Sequence, residues 1–330
     1  MNKSRAIGRT LLFLIAYCTL AAVVYFASLL MLQHGVLFNA PWFATAQKSL
    51  YRAGMSDNAT NWLSLPGCIT PDPELVYIPS TGSCEFNHIE FRTTLNFTEE
   101  GRYTGDKPQG TGIAVIGDSH AMGWGVNDLE TFAAHLQELS GRPVYNLGVA
   151  SYGTSRELIR LKNSGLLEKI DTVIIQYCNN DYNENIMFDT ASRQELHEKV
   201  FGHAGTDEVQ QPDMLKFITK GYWLTLKAPL KSLADRLRRK NFARHYNVLI
   251  DTLQKQYEVL RGKHVIVFYS NPYGQKYRNY PAGRDTRLPE VSFVDLDLNQ
   301  ADYHKLDNHL TPAGHRKVAE RLFKYLQSAP

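Results

Sequence analysis

The chain opens on three cations, Lys3, Arg5 and Arg9, followed by an uncharged and mostly apolar run from Thr10 to Leu32. At about 1.5 Å rise per residue such a run exceeds the roughly 30 Å hydrocarbon thickness of a bilayer, so the pattern predicts one membrane-spanning helix over residues 10–33. Positive charge before the span predicts residues 1–9 in the cytoplasm and everything after Gln33 outside it, which in a bacterium would be an inner-membrane anchor with the rest facing the periplasm. A long cleaved signal peptide is the other reading, because Ala21, Ala22 and Ala27 are small enough for a cleavage site.

Beyond the span the pattern changes twice. Residues 34–110 read as an irregular lead-in, with a short helical pattern near Trp42 to Arg52 and β-branched and aromatic runs at Glu74 to Ile78 and Phe86 to Leu95. From Gly112, short apolar runs alternate with amphipathic ones. Strands are predicted at Ile113 to Ile116, Val144 to Leu147, Thr172 to Tyr177, Val265 to Tyr269 and Val291 to Leu296. Helices are predicted at Leu129 to Leu139, Ser155 to Leu167 and Phe242 to Leu260. Thr311 and Pro312 supply an N-cap and a first helical residue for a last helix, whose Val318, Leu322 and Leu326 form a stripe. This alternation signals an α/β domain over residues 111–330, with a five-stranded parallel sheet covered on both faces and chemistry beyond the carboxyl ends of its strands.

Composition narrows the class. The 330 residues are 43% hydrophobic and 21% charged, as expected of a chain that buries a core, and the formal net charge of +3 argues against a nucleic-acid partner. One segment, residues 213–244, concentrates Lys216, Lys220, Lys227, Lys231, Arg236, Arg238, Arg239, Lys240 and Arg244 among aromatic residues. It reads either as a helical flap facing anionic headgroups or an acidic glycan, or as solvated helices packed on the domain. Cys68 and Cys84 lie close together in the exported part, where a disulfide is permitted, and Cys178 would then stay reduced.

Candidate chemistry sits at the strand ends. Gly117-Asp118-Ser119-His120 follows the first strand, Asn146-Leu147-Gly148 the second, Cys178-Asn179-Asn180-Asp181 the third, and Asp307-Asn308-His309 precedes the Thr311 cap. In this order the segments resemble the four blocks of the SGNH/GDSL hydrolases, over roughly Gly112 to the C-terminus. The resemblance implies a flavodoxin-like three-layer sandwich with Ser119 as nucleophile, His309 as base, Asp307 behind it, and Gly148 and Asn180 as oxyanion donors. The looser likeness of Pro73 to Tyr77 and of the Gly-Trp-Gly-Val after the serine is to exported bacterial members.

Elementary chemistry agrees with those roles. A serine hydroxyl is a poor nucleophile until a base accepts its proton, and an imidazole needs a carboxylate to hold its tautomer. Asp307 is two positions from His309, so in an extended segment both side chains face one way. Negative charge developing on an acyl oxygen calls for the N–H groups of Ser119 and Gly148 and the Asn180 amide.

The sequence departs from the family pattern where Cys178 replaces a glycine, which lets Asn179 compete with Asn180, and where one residue rather than two separates Asp307 from His309. His120 stands where leucine is common, a variant resembling SGNH domains linked to polysaccharide acetylation. Asp302 and His304 repeat the Asp-x-His spacing but fall in the loop before, and no zinc-like ligand spacing occurs; no metal or cofactor is expected. The expected activity is therefore that of an O-acyl, in particular acetyl, hydrolase or transferase on a cell-envelope glycan, with a membrane-bound acyltransferase as donor partner if it transfers. A lysophospholipase or thioesterase acting on lipid, and a non-catalytic envelope binding protein, are the alternatives.

Overall fold

The computed structural model describes residues 2–33, 62–65, 67–88, 90–201, 242–270, 283–305 and 307–328. The helical pattern near Trp42 and nearly all of the basic segment 213–244 lie outside them. The described residues fall into two units, helix α1 (Asn2–Gln33) and everything from Trp62 onward.

Within α1 the window Leu11–Ser28 has a mean hydropathy of 2.2. Its Leu11, Leu12, Phe13, Leu14, Ile15, Leu20, Val23 and Val24 are exposed, and the hydroxyls of Thr19 and Ser28 donate back to the carbonyls of Ile15 and Val24 at 2.8 and 2.7 Å. A helix apolar all round, with its hydroxyls satisfied internally, suits a lipid environment. Length and composition fit an anchor or a signal sequence equally.

The second unit is built on a nine-stranded sheet. Its parallel centre holds β6 (Gly112–Ile116), β7 (Val144–Asn146), β8 (Ile170–Tyr177), β9 (His264–Tyr269) and β11 (Leu288–Val294), flanked by the edge strand β10 (Gly283–Asp285). In sheet order these run β7-β6-β8-β9-β11, the 2-1-3-4-5 order of flavodoxin-like folds. Period-two alternation makes three layers. Ala114, Ile116, Val173, Ile175, Val265 and Val267 join one core with α4 (Thr154–Asn163) and α7 (Phe242–Lys255). Ile113, Val115, Ile174, Ile266 and Phe268 join the other with α3 (Phe132–Ser140) and α9 (Pro312–Ser328). The chain runs from β6 to β7 on one side and then crosses back past β6 to β8 on the other, and that reversal opens a crevice at the carboxyl ends of β6 and β8.

The lead-in contributes real structure. β1 (Ile69–Asp72) and β2 (Val76–Pro79) pair with each other. The run Phe86 to Leu95 is two strands, β3 (Gly82–Asn87) and β4 (Arg92–Thr98), because His88 N–H closes a turn on the Phe91 carbonyl at 2.8 Å. Together with β5 (Gly101–Arg102) they extend the main sheet past β7. Cys68 and Cys84 are disulfide-bonded, with Cα atoms 5.2 Å apart. Two polar helices after β8, α5 (Asp181–Thr190) and α6 (Arg193–Phe201), had no periodic signature strong enough to announce them.

Candidate active site

Ser119 opens α2 (Ser119–Met122), a single turn directly beyond β6. Gly117 makes the exit possible, since at its φ of 152° a Cβ would approach Ala121 Cβ and Gln176 Oε1 to 2.7 Å. The carboxylate of Asp118 caps the turn by accepting from His120 N–H at 2.9 Å. From β8, Gln176 Oε1 accepts the N–H groups of Asp118 and Ala121 at 3.1 and 3.0 Å. Ser119 N–H is left without an acceptor among the described residues, as the first amides of a helix are.

The loop before α9 brings His309 to the serine. His309 Nε2 lies 2.7 Å from Ser119 Oγ, and His309 Nδ1 is hydrogen-bonded to Asp307 Oδ1. With Nδ1–H donated to the carboxylate, Nε2 offers its lone pair to the hydroxyl. The segment is not extended as expected. Asn308, between the two, is left-handed at φ 67°, so the two side chains meet through a turn, a conformation asparagine tolerates. Thr311 Oγ1 accepts from Gly314 N–H at 3.1 Å, capping α9.

Asp302 and His304 are not a second pair. Asp302 accepts from Asn299 N–H at 2.7 Å and from Lys317 Nζ at 2.9 Å, which is loop and helix scaffolding. His304 packs its ring 5.6 Å from Phe91.

Of the expected donors, Asn180 faces the serine turn: its Nδ2 donates to Asp118 Oδ2 at 2.9 Å. An amide carries two hydrogens, so one remains. Asn179 points elsewhere, accepting from Tyr269 O–H. Gly148 is packed on α2, where a Cβ would meet Met122 N at 2.3 Å. Its N–H, however, donates to Asn146 Oδ1 at 3.0 Å, so this amide already has an acceptor.

Behind the serine lies a buried acidic group. Cys178 Sγ donates to Asp118 Oδ2 at 2.9 Å, and Asp181 Oδ2 accepts Cys178 N–H at 2.9 Å. Asp118, Cys178 and Asp181 offer ligand atoms within 4.8 Å of one another, as a metal would require, but the thiol is a hydrogen donor there. Burial raises the Cys178 thiol, reinforced by Asp118 and Asp181, which opposes the thiolate a metal needs. Burial also raises Asp118, but His120 and the hydrogen bonds from Cys178, His120 N–H and Asn180 outweigh it and hold the carboxyl below its usual range. Asp181 and Glu157 are pushed well above theirs, first by burial and then by neighbouring carboxylates.

Three contacts of the site join segments far apart in the sequence. Trp124 donates its indole N–H to Asp307 Oδ2 at 3.2 Å; Gln176 holds the serine turn; Glu90 accepts from the loop amides of Lys305 and Asp307. Only Trp124, close after the serine, carried any signal in the sequence.

The sequence profile of the GDSL-like lipase/acylhydrolases matches residues 113–322. The chain belongs to this family. As a GDSL-family protein it is an ester-hydrolysing serine hydrolase. No curated protein matches it significantly. Among solved structures, a GDSL-family lipolytic protein from Desulfitobacterium hafniense is 13% identical over 65% of this chain and 98% of its own, with a TM-score of 0.37. A lipase/acylhydrolase from Enterococcus faecalis is 14% identical over 66% of this chain and 95% of its own, with a TM-score of 0.35. A family two carbohydrate esterase from Clostridium thermocellum, solved with cellohexaose, is 13% identical over 68% of this chain and 66% of its own, with a TM-score of 0.37.

Proposed function

We propose that this GDSL-family protein is a membrane-anchored O-acyl esterase whose nucleophile is Ser119, with His309 as general base and Asp307 orienting it. The observation that carries the reading is the 2.7 Å approach of His309 Nε2 to Ser119 Oγ, with the imidazole bound on its far side by Asp307. His309 takes the hydroxyl proton as Oγ attacks the acyl carbon, and returns it to the leaving alcohol. The acyl-enzyme is then hydrolysed by water activated by the same imidazole. Ser119 N–H and the second hydrogen of Asn180 Nδ2 receive the oxyanion; Gly148 can add its N–H only by releasing or sharing it with Asn146.

The substrate in this reading is an O-acetylated cell-envelope glycan, supported by His120 directly after the serine, as in SGNH domains linked to polysaccharide acetylation. Residues 1–9 are cytoplasmic, 10–33 anchor the chain in a bacterial inner membrane, 34–110 form a periplasmic lead-in, and 111–330 form the hydrolase domain. The cations before the apolar span support that orientation.

The test is covalent labelling of the purified protein with a fluorophosphonate, read by peptide mass spectrometry, beside turnover of 4-nitrophenyl acetate. Wild-type protein labelled at Ser119, and a folded Ser119→Ala variant without turnover, are expected. Turnover retained by Ser119→Ala would discard the assignment. Mass spectrometry of envelope glycans from cells with and without the protein then tests the substrate.

A further inference from the structure

The turn between β3 and β4 precedes the residues that match the family, yet it reaches the loop carrying Asp307 and His309. Glu90 lies in this turn. Its Oε1 accepts Lys305 N–H at 3.0 Å and its Oε2 accepts Asp307 N–H at 2.8 Å, across more than two hundred positions of chain. Phe91 stacks on His88, with centroids 5.0 Å and planes 8° apart, and packs on His304 at 5.6 Å. Phe86, at the end of β3, sets its ring edge against Trp124 at 4.3 Å. The His88 ring stands 3.8 Å from Asp307 Oδ2. Burial, opposed by Asp307, lowers His88 to about 4, so this contact is polar packing and not an ion pair at neutral pH.

The loop has reason to need such a brace. Its base is closed by an antiparallel bridge between Tyr303 and Leu310, with His304 N–H on the His309 carbonyl at 2.8 Å and Thr311 N–H on the Asp302 carbonyl at 2.9 Å, and Asn308 N–H bonds the His304 carbonyl at 3.1 Å. None of these holds the amides of Lys305 and Asp307 at the tip, and the left-handed Asn308 between Asp307 and His309 leaves their alignment dependent on where Asp307's backbone sits. A carboxylate is an acceptor at both oxygens and makes charge-assisted bonds, so one side chain can fix both amides. Glutamine at the same place accepts one and turns its NH2 toward the other.

We infer that Glu90 is a positioning residue for the reaction: by clamping the Lys305 and Asp307 amides it sets the register of Asp307 against His309, so that the lead-in completes the catalytic apparatus. The inference rests on the proposed roles of Ser119, His309 and Asp307.

The experiment compares full-length wild type, Glu90→Gln, Glu90→Ala and Ser119→Ala in turnover of 4-nitrophenyl acetate, with kcat expressed per fluorophosphonate-labelled site for wild type and the Glu90 variants, so that unfolded molecules are not counted, and per mole of folded protein for Ser119→Ala, which has no site to label. Glu90→Gln should lower kcat by about 10- to 100-fold, the scale of one charged hydrogen bond, with KM within about twofold because the residue does not touch substrate. Its labelling should reach the wild-type endpoint more slowly. Glu90→Ala should lose as much or more. Wild-type kcat per labelled site in Glu90→Gln, with Ser119→Ala inactive, overturns this inference alone. Turnover in Ser119→Ala overturns the functional reading and this inference with it.

Discussion

The indole of Trp124 lies nearly flat on the His309 imidazole, with centroids 4.8 Å and planes 18° apart, while its Nε1–H donates to Asp307 Oδ2 at 3.2 Å. One side chain thus contacts both members of the pair, stacking on the His309 imidazole and holding the carboxylate oxygen that the imidazole does not bond. Trp124→Phe keeps an aromatic surface and removes the donor. Loss of a hydrogen bond to a charged group should lower kcat by about tenfold or more with the fold intact. Steady-state kinetics beside near-ultraviolet circular dichroism check it; wild-type kcat would show that Asp307 is held well enough by His309 and its own amide.

His309 and His304 give a ranked pair of variants. His309→Ala removes the group 2.7 Å from Ser119 Oγ and should cost several orders of magnitude in kcat if it is the base. His304→Ala removes a ring that packs on Phe91, and its effect should be small and fall mainly on KM. An inactive His304→Ala beside an active His309→Ala would reverse the assignment of the base.

Asn180→Ala tests the oxyanion arrangement. It removes the amide that bonds Asp118 Oδ2, and about a 100- to 1000-fold fall in kcat is expected for loss of one such donor. Asn179→Ala, whose wild-type side chain accepts from Tyr269, should fall far less. Equal losses in the two would mean that the loop is sensitive as a whole and that Asn180 has no particular role.

Glu157 makes stability depend on pH. Its carboxyl is raised well above the ordinary 4.5, by burial and then by Asp118, so the folded protein holds the proton more tightly than the unfolded chain does. Stability from this group is complete below its ordinary value and is lost as pH rises through the window above it. Glu157→Gln cannot ionise, so its denaturant midpoint should gain on that of wild type as pH is raised over a range that starts at the ordinary value of 4.5. A difference that stays constant across that range would contradict the raised value.

Much of the framework was legible in the sequence because the signals are local. The parallel strands are continuous apolar runs, read by composition alone, and β6 and β9 fall within a residue of their expected bounds. The Thr311 cap and the placement of Ser119 just past a strand follow from chemistry within a few residues. What required the tertiary structure were distances between segments. Asp307 and His309 meet through a left-handed Asn308 that spacing cannot reveal, and Gly148 N–H is taken by an asparagine two residues before it. Glu90 reaches Asp307 only because β3 and β4 extend the sheet to that side. Glu157 and Asp181 belong to the ends of different helices and become a buried acidic group only when those helices pack together. Backbone propensity sums over a short window, whereas proximity of side chains across the sheet depends on strand order and register, which no single segment encodes.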